Sequence, residues 1–111
     1  MKLSGKIALV TGAGRGIGKG CALALAEAGA DIILNDRPGS PDIATAAEEI
    51  RALGRHCWAI ESDIFSRPGC ESLMEAALAE AGRIDILISN PAFSRREEFL
   101  NFDPELFELT L

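Results

Sequence analysis

A cluster of glycines between Val10 and Lys19 separates a short apolar run from a long alanine-rich segment. Glycine lets the backbone turn sharply between a strand and a helix, and it brings the main chain close to a bound group because no Cβ intervenes. The first N–H groups of the following helix have no partner within that helix, so they can bind an anion. The stretch therefore predicts a phosphate-binding turn at the start of the first helix.

The spacing of the glycines distinguishes three kinds of phosphate-binding turn. The P-loop pattern G-x-x-x-x-G-K-[ST] requires a glycine where Ala13 stands and a hydroxyl residue where Gly20 stands. The dinucleotide pattern G-x-G-x-x-G requires a glycine where the chain has Ile17. The pattern that fits is T-G-x-x-x-G-x-G, formed by Thr11, Gly12, Gly16 and Gly18. Taken alone, these glycines also suit a tight strand-to-helix turn with no ligand.

Apolar, strand-like runs alternate with helical segments along the chain. Strands are predicted at 7–10, 30–36, 57–60 and 84–89, and helices at 17–28, 42–53 and from near Ser66 to 81, with a further helix beginning at Asp103. Such alternation is typical of parallel βαβ units, which wind into a doubly wound sheet. The sequence therefore predicts a Rossmann-type α/β fold with strand order 3-2-1-4. Its ligand site is expected outside the carboxyl ends of strands 1 and 4.

The composition argues against several functions. The 111 residues form one domain at most, and no apolar run reaches the roughly 18 residues that a membrane span needs. A net charge of −6 with scattered basic residues argues against nucleic acid as a partner. The single histidine, His56, and the lack of a C-x-x-C pair predict no metal site. An odd number of cysteines without a signal-peptide pattern predicts reduced thiols in a cytoplasmic protein.

An acidic residue at the end of the second strand indicates which nucleotide the turn would bind. Asp36 lies about 20 residues after the glycines, where a carboxylate can accept hydrogen bonds from both ribose hydroxyls of an adenosine. The same carboxylate would repel a 2′-phosphate, so Asp36 favours NAD over NADP. Arg15 in the turn and Arg37 beside Asp36 are the residues that could pair with such a phosphate. NADP therefore remains the alternative cofactor.

The glycine turn resembles the cofactor fingerprint of the short-chain dehydrogenase/reductase family, and two later segments extend the resemblance. Asp63-Ile64, after the third strand, is similar to the family's adenine-binding pair of a carboxylate and a following backbone N–H. The run 85–92 resembles the family's D-x-L-x-N-N-A-G segment, with Asn90 at the second Asn. The chain departs from that segment at Ser89, Pro91 and Ala92.

The resemblance implies a set of cofactor-binding residues but no catalytic ones. The cofactor-binding set is Gly12, Gly14, Arg15, Gly16, Ile17, Gly18, Asp36, Asp63, Ile64 and Asn90. Family members use a Tyr-x-x-x-Lys pair as acid/base and its partner, and this chain contains no tyrosine. The catalytic residues are therefore expected downstream of Leu111.

Two classes of function are compatible with these features. In the first, residues 1–111 are the cofactor-binding part of an NAD(P)-dependent oxidoreductase that transfers hydride between nicotinamide and a small carbonyl/alcohol substrate, and the full-length protein is a homo-oligomer. The second is a stand-alone nucleotide-binding or interaction module without catalysis. In the order 3-2-1-4 the fourth strand is an edge, and its covering helix has only begun with Leu106, Phe107 and Leu109. We therefore expect the 111 residues alone to self-associate or to require further chain for folding.

Overall fold

Four parallel strands and three helices alternate along residues 1–90, the part of the chain that the computed structural model describes. The elements are β1 (Ile7–Val10), α1 (Gly16–Glu27), β2 (Asp31–Asp36), α2 (Ile43–Ala52), β3 (Cys57–Glu61), α3 (Arg67–Ala81) and β4 (Ile86–Ile88). The strand order is β3-β2-β1-β4, so the predicted doubly wound fold is confirmed. The helix expected from Asp103 and the departures at Pro91 and Ala92 lie outside the described residues.

The register of the sheet brings the carboxyl ends of all four strands to one edge. β1 lies between β2 and β4, with Val10 opposite both Leu34 and Ile88. β3 pairs with the other side of β2, and Asp36 lies opposite Glu61 at the end of that pairing. The glycine turn and the residue after each strand therefore lie along the same edge, where doubly wound sheets bind their ligands.

Both faces of the two central strands are buried, which explains why these strands are apolar at nearly every position. On one face, α1 and α2 pack over Ala8, Val10, Ile32 and Leu34. On the other face, α3 packs over Leu9 and Ile33. Alternate side chains of a strand point to opposite faces, so one short apolar run supplies residues to both layers.

The fourth strand is shorter than the sequence predicts. A regular strand over 84–89 predicts that Ile84, Ile86 and Ile88 share one face, and this prediction is wrong. Ile84 packs with the residues under α3, whereas Ile86 and Ile88 pack on the face under α1 and α2. The reason lies at Asp85, whose Oδ2 accepts a hydrogen bond from the Ile7 backbone N–H at 2.8 Å. The Ile7 N–H thus donates to a side chain instead of a main-chain carbonyl. Regular pairing of β1 with β4 therefore begins only at Ile86, and with it the alternation of side chains between the two faces.

The ends of α3 follow the capping signals in the sequence. Ser66 is the N-cap, and its Oγ accepts a hydrogen bond from the Gly69 N–H at 3.0 Å. Pro68 lies in the first turn, and Gly82 ends the helix in the left-handed conformation at φ 87°. Within residues 1–90, no helix has the length and apolar character that a bilayer crossing requires.

Candidate functional site

The glycine turn between β1 and α1 contains two glycines that pack directly against neighbouring backbone. Gly12 has φ +60°, and a Cβ at this position would overlap the carbonyl oxygen of Asn90. A Cβ on Gly18 would overlap the Gly12 carbonyl and lie 2.8 Å from Asn90 Nδ2. These two glycines therefore allow the end of β4, the turn and the start of α1 to pack closely together.

Gly16 differs from these glycines because it faces open space. It has φ +63°, and no described atom lies within 4 Å of the position that a Cβ would occupy. Arg15, the N-cap of α1, is extended at φ −160° and provides no side-chain cap. In contrast to α3, the first N–H groups of α1 thus have no capping side chain among residues 1–90. Uncapped donors beside open space fit an anionic group such as a pyrophosphate.

The carboxylate of Asp36 lies against the glycine turn. A Cβ on Gly14 would overlap Asp36 Oδ2 and lie 3.2 Å from Ser40 Oγ, so only glycine fits there without a shift. Asp36 Oδ1 accepts a hydrogen bond from the Arg37 N–H at 2.9 Å, and Oδ2 accepts one from Ser40 Oγ at 2.6 Å. The fold therefore brings together the predicted phosphate-binding turn and the predicted ribose-binding carboxylate.

Arg15 and Arg37, the two arginines singled out from the sequence, are solvent-exposed at this edge, whereas Lys19 is partly buried and paired. Arg15 Nε lies 3.9 Å from Asp42 Oδ2, and its side chain is 81% exposed. Lys19 Nζ lies 2.6 Å from Glu49 Oε2 on the adjacent helix. Arg37 is exposed. An exposed ion pair such as that of Arg15 contributes little to stability. Arg15 and Arg37 are both exposed, so they are accessible to an anion.

Asn90 and Thr11 connect the ends of β4 and β1. The Asn90 N–H donates to Thr11 Oγ1 at 2.9 Å, and Asn90 Nδ2 donates to the Gly12 carbonyl at 3.5 Å. The Thr11 N–H donates to the Ile88 carbonyl at 3.0 Å. Ser89 Oγ is buried and has no hydrogen-bond partner within the described part of the chain. Asn90, a predicted site residue, therefore holds the glycine turn in place, whereas Ser89, where the chain departs from the family segment, has a hydroxyl with no partner among residues 1–90.

The remaining predicted residues lie farther along the same edge. Asp63 is exposed, and its Oδ1 accepts a hydrogen bond from the Phe65 N–H at 2.9 Å within its own loop. Ile64 is buried under α3. Ile17, in the first turn of α1, is 78% exposed. An exposed isoleucine beside an open turn is available to contact a ligand.

Three polar residues that support this edge were not identified from the sequence. Asn35 is only 1% exposed, and its Nδ2 donates to Ile60 O and to Ser62 Oγ, both at 3.1 Å. Glu61 Oε1 accepts from the Gly39 N–H at 2.6 Å. The third is Ser40, the partner of Asp36. Asn35 could have been identified from the sequence, because it is a polar residue inside an apolar strand. Nothing local in the sequence indicates the contacts of Glu61 and Ser40.

Two of the groups with shifted pKa values, Asp85 and Cys57, lie at the amino ends of strands, and a third, Cys70, lies in the first turn of α3. The pKa of Asp85 is lowered by the Ile7 N–H and then by the hydrogen bond from Arg83 Nε, which lies 3.0 Å from its Oδ2. Burial raises the pKa of the Cys57 and Cys70 thiols to about 11. Asp85 and Cys57 are therefore remote from the candidate site, whereas Cys70 Sγ donates to the carbonyl of Ile64, one of its predicted residues, at 3.1 Å.

Comparison with known proteins agrees with the fold. The chain is 42% identical over 95 residues to the hydroxynaphthalene reductase arp2 of Aspergillus fumigatus, covering 86% of this chain and 35% of the reductase. It is 42% identical over 101 residues to the 2-dehydro-3-deoxy-D-gluconate 5-dehydrogenase of Escherichia coli, covering 90% of this chain and 38% of that protein. The crystal structure of NAD⁺-bound xylitol dehydrogenase superposes with a TM-score of 0.78 at 33% identity, covering 86% of this chain and 36% of that one.

The extent of these matches identifies the family. The chain spans just over a third of the length of the curated relatives. Residues 6–111 match the short chain dehydrogenase family, so the match includes the glycine turn and all four strands. The resemblance found in the sequence is therefore confirmed, and the chain belongs to the short-chain dehydrogenase family.

Proposed function

We propose that the protein is an NAD-preferring oxidoreductase that transfers hydride between the nicotinamide and a small carbonyl/alcohol substrate, and that residues 1–111 bind the cofactor. Two relatives that match most of this chain are a reductase and a dehydrogenase, which supports an oxidoreductase rather than a module without catalysis. We assign no catalytic residue within the chain, because it contains no tyrosine for the family's acid/base pair.

The observation that carries the proposal is the contact between Gly14 and the Asp36 carboxylate. The contact supports the proposal because a negative carboxylate lies beside a turn whose helix N-terminus attracts negative phosphate. A nicotinamide dinucleotide has the matching order of groups, since its pyrophosphate follows directly on the adenosine ribose. The donors at Gly16 and the acceptor at Asp36 thus suit adjacent parts of one molecule.

Seven of the ten predicted residues have a distinct binding task in this proposal. The α1 N-terminus from Gly16 to Gly18 holds the pyrophosphate, and Asp36 accepts hydrogen bonds from the ribose hydroxyls. Asp63 and the Ile64 N–H bind the adenine, and Asn90 orients the turn through the Gly12 carbonyl. When bound, the cofactor supplies or accepts the hydride, while these residues hold and orient it.

Titration of the intact protein with NAD and NADP tests the proposed preference. Asp36→Ala removes the ribose acceptors, so we expect NAD binding to weaken by about 1.5–3 kcal/mol for each hydrogen bond lost. NADP binding is expected to improve, because the repulsion of the 2′-phosphate disappears. Asp31→Ala is the matched control, since Asp31 lies at the opposite end of the same strand and accepts from the His56 N–H.

Three outcomes of this titration contradict the proposal. Tighter binding of NADP than of NAD by the unmodified protein would assign recognition to Arg15 and Arg37. Equal changes in Asp36→Ala and Asp31→Ala would remove Asp36 from the site. Binding of neither dinucleotide would refute the function itself. A cytoplasmic location and assembly into a homo-oligomer stay predictions.

A further inference from the structure

The loop between β2 and α2, residues 37–42, is tied to both neighbouring strand ends by side-chain hydrogen bonds. Ser40 Oγ donates to Asp36 Oδ2 at 2.6 Å and accepts from the Asp42 N–H at 3.3 Å. The Gly39 N–H donates to Glu61 Oε1 at 2.6 Å, across a separation of 22 residues in the sequence. The serine hydroxyl therefore joins the loop to the end of β2 by a hydrogen bond, and the Glu61 carboxylate joins it to the end of β3 in the same way.

We propose that Ser40 and Glu61 are positioning residues that hold the Asp36 carboxylate and its loop in an arrangement selective for an unphosphorylated adenosine ribose. This inference rests on the proposed function and names two specificity residues that the family resemblance did not indicate.

Ser40 acts through the hydrogen-bonding capacity of Asp36. An ionised carboxylate has two oxygens and about four lone-pair positions. Within residues 1–90, Oδ1 receives one hydrogen bond, from the Arg37 N–H, and Oδ2 receives one, from Ser40 Oγ. One position therefore remains on each oxygen, which matches the two hydroxyls of a ribose.

The donors also determine the orientation of the carboxylate. The Asp42 N–H donates to Ser40 Oγ, which directs the serine hydroxyl proton towards Asp36. Gly14 lies on another side of the carboxylate, where a Cβ would overlap Oδ2. The carboxylate is thus held between the Arg37 N–H, the serine hydroxyl and the glycine turn before a ribose arrives. Such preorganisation increases affinity because less ordering is needed on binding.

Glu61 adds a second negative charge at the same edge. It lies opposite Asp36 in the strand register, and its hydrogen bond to the Gly39 N–H keeps its carboxylate against the loop. Two carboxylates on adjacent strand ends disfavour a 2′-phosphate more than one does. Among residues 1–90, the exposed arginines that oppose them include Arg37, beside Asp36, and Arg15 in the turn. Glu61 therefore shifts the balance towards NAD.

Dissociation constants for NAD, NADP and AMP, measured on the intact protein and its variants, test both residues. Ser40→Ala is expected to weaken NAD and AMP by about three- to tenfold, as one hydrogen bond to a charged group contributes at least this much. NADP binding stays within about twofold, because it does not use the held carboxylate. Ser40→Thr, which keeps the hydroxyl, restores the NAD affinity.

Two further variants separate charge and stability from positioning. Glu61→Gln keeps an oxygen for the Gly39 N–H but removes the charge, so NADP binding tightens by about two- to threefold, more at low salt, while NAD binding is unchanged. Ser66→Ala is the matched control, since Ser66 also accepts a hydrogen bond at the start of a helix. It lowers the melting temperature without changing the ratio of NAD to NADP affinity.

The outcomes distinguish this inference from the function on which it rests. If the unmodified protein binds NAD but Ser40→Ala changes NAD and NADP equally, Ser40 is a structural residue and its part of the inference is overturned. An unchanged NADP affinity in Glu61→Gln overturns the part that concerns charge, and this conservative variant decides the matter even if Ser40→Ala does not fold. Failure of the unmodified protein to bind either dinucleotide overturns the proposed function as well.

Discussion

Replacement of Gly16 by valine tests whether the open turn is a ligand site or only a tight connection. Gly16 has φ +63° and no described atom within 4 Å of the missing Cβ, so a side chain meets no steric barrier within residues 1–90. The substitution nevertheless has two effects. It strains a left-handed backbone, which costs about 1–2 kcal/mol for an ordinary residue and more for a β-branched one. It also fills the space beside the N-terminus of α1.

Gly54 provides a control with the same backbone cost. It has φ +84°, nothing described within 4 Å of its missing Cβ, and a position just after the carboxyl end of α2. Gly54→Val and Gly16→Val should therefore lose similar stability and keep similar helical content. Only Gly16→Val should lose the cofactor, because only its side chain occupies the place proposed for the pyrophosphate.

The expected loss of affinity follows from the donors that the valine would block. Hydrogen bonds to a charged group contribute about 1.5–3 kcal/mol each, so the loss of two corresponds to a decrease of at least about a hundredfold in NAD affinity. Urea denaturation and far-ultraviolet circular dichroism measure the shared structural cost, and calorimetric titration with NAD measures binding. If Gly16→Val binds NAD within about threefold of the unmodified protein, the turn is structural and our assignment of the phosphate site is refuted.

Two further predictions follow from the shifted pKa values. Because the pKa of folded Asp85 is lowered from about 3.9 in the unfolded chain, its carboxylate stabilises the fold above that pH, and this contribution is lost as the pH falls through the folded-state value. Asp85→Asn should thus be less stable at pH 7 by about 1 kcal/mol, and in urea denaturation the difference should disappear as the pH falls through the folded-state pKa of Asp85; a difference independent of pH would contradict this. Because burial raises the pKa of Cys57 and Cys70 to about 11, both should react with a thiol reagent at pH 8 at least about tenfold more slowly in the folded protein than in urea, and equal rates would show that they are accessible.

Local patterns in the sequence were sufficient to predict the architecture. The run Ile7–Val10 is apolar throughout because it is covered on both faces, and this requirement is visible without knowledge of its partners. Ser66, Pro68 and Gly82 determine the ends of α3 through interactions that span only a few residues. The glycines of the turn likewise reflect a local backbone need, the positive φ of Gly12 and Gly16.

Tertiary structure alone decided how the parts of the site meet. Three features depend on where the strands lie relative to one another. They are the contact of Gly14 with Asp36, the hydrogen bond from the Gly39 N–H to Glu61, and the face on which Ile84 packs. None of these contacts joins residues close in sequence, so no local preference encodes them. The sequence specifies which side chains stand at the ends of the strands. Packing of the helices on the sheet determines the distances between these side chains. Because hydrogen bonds form only at short range, those distances govern the chemistry of the site.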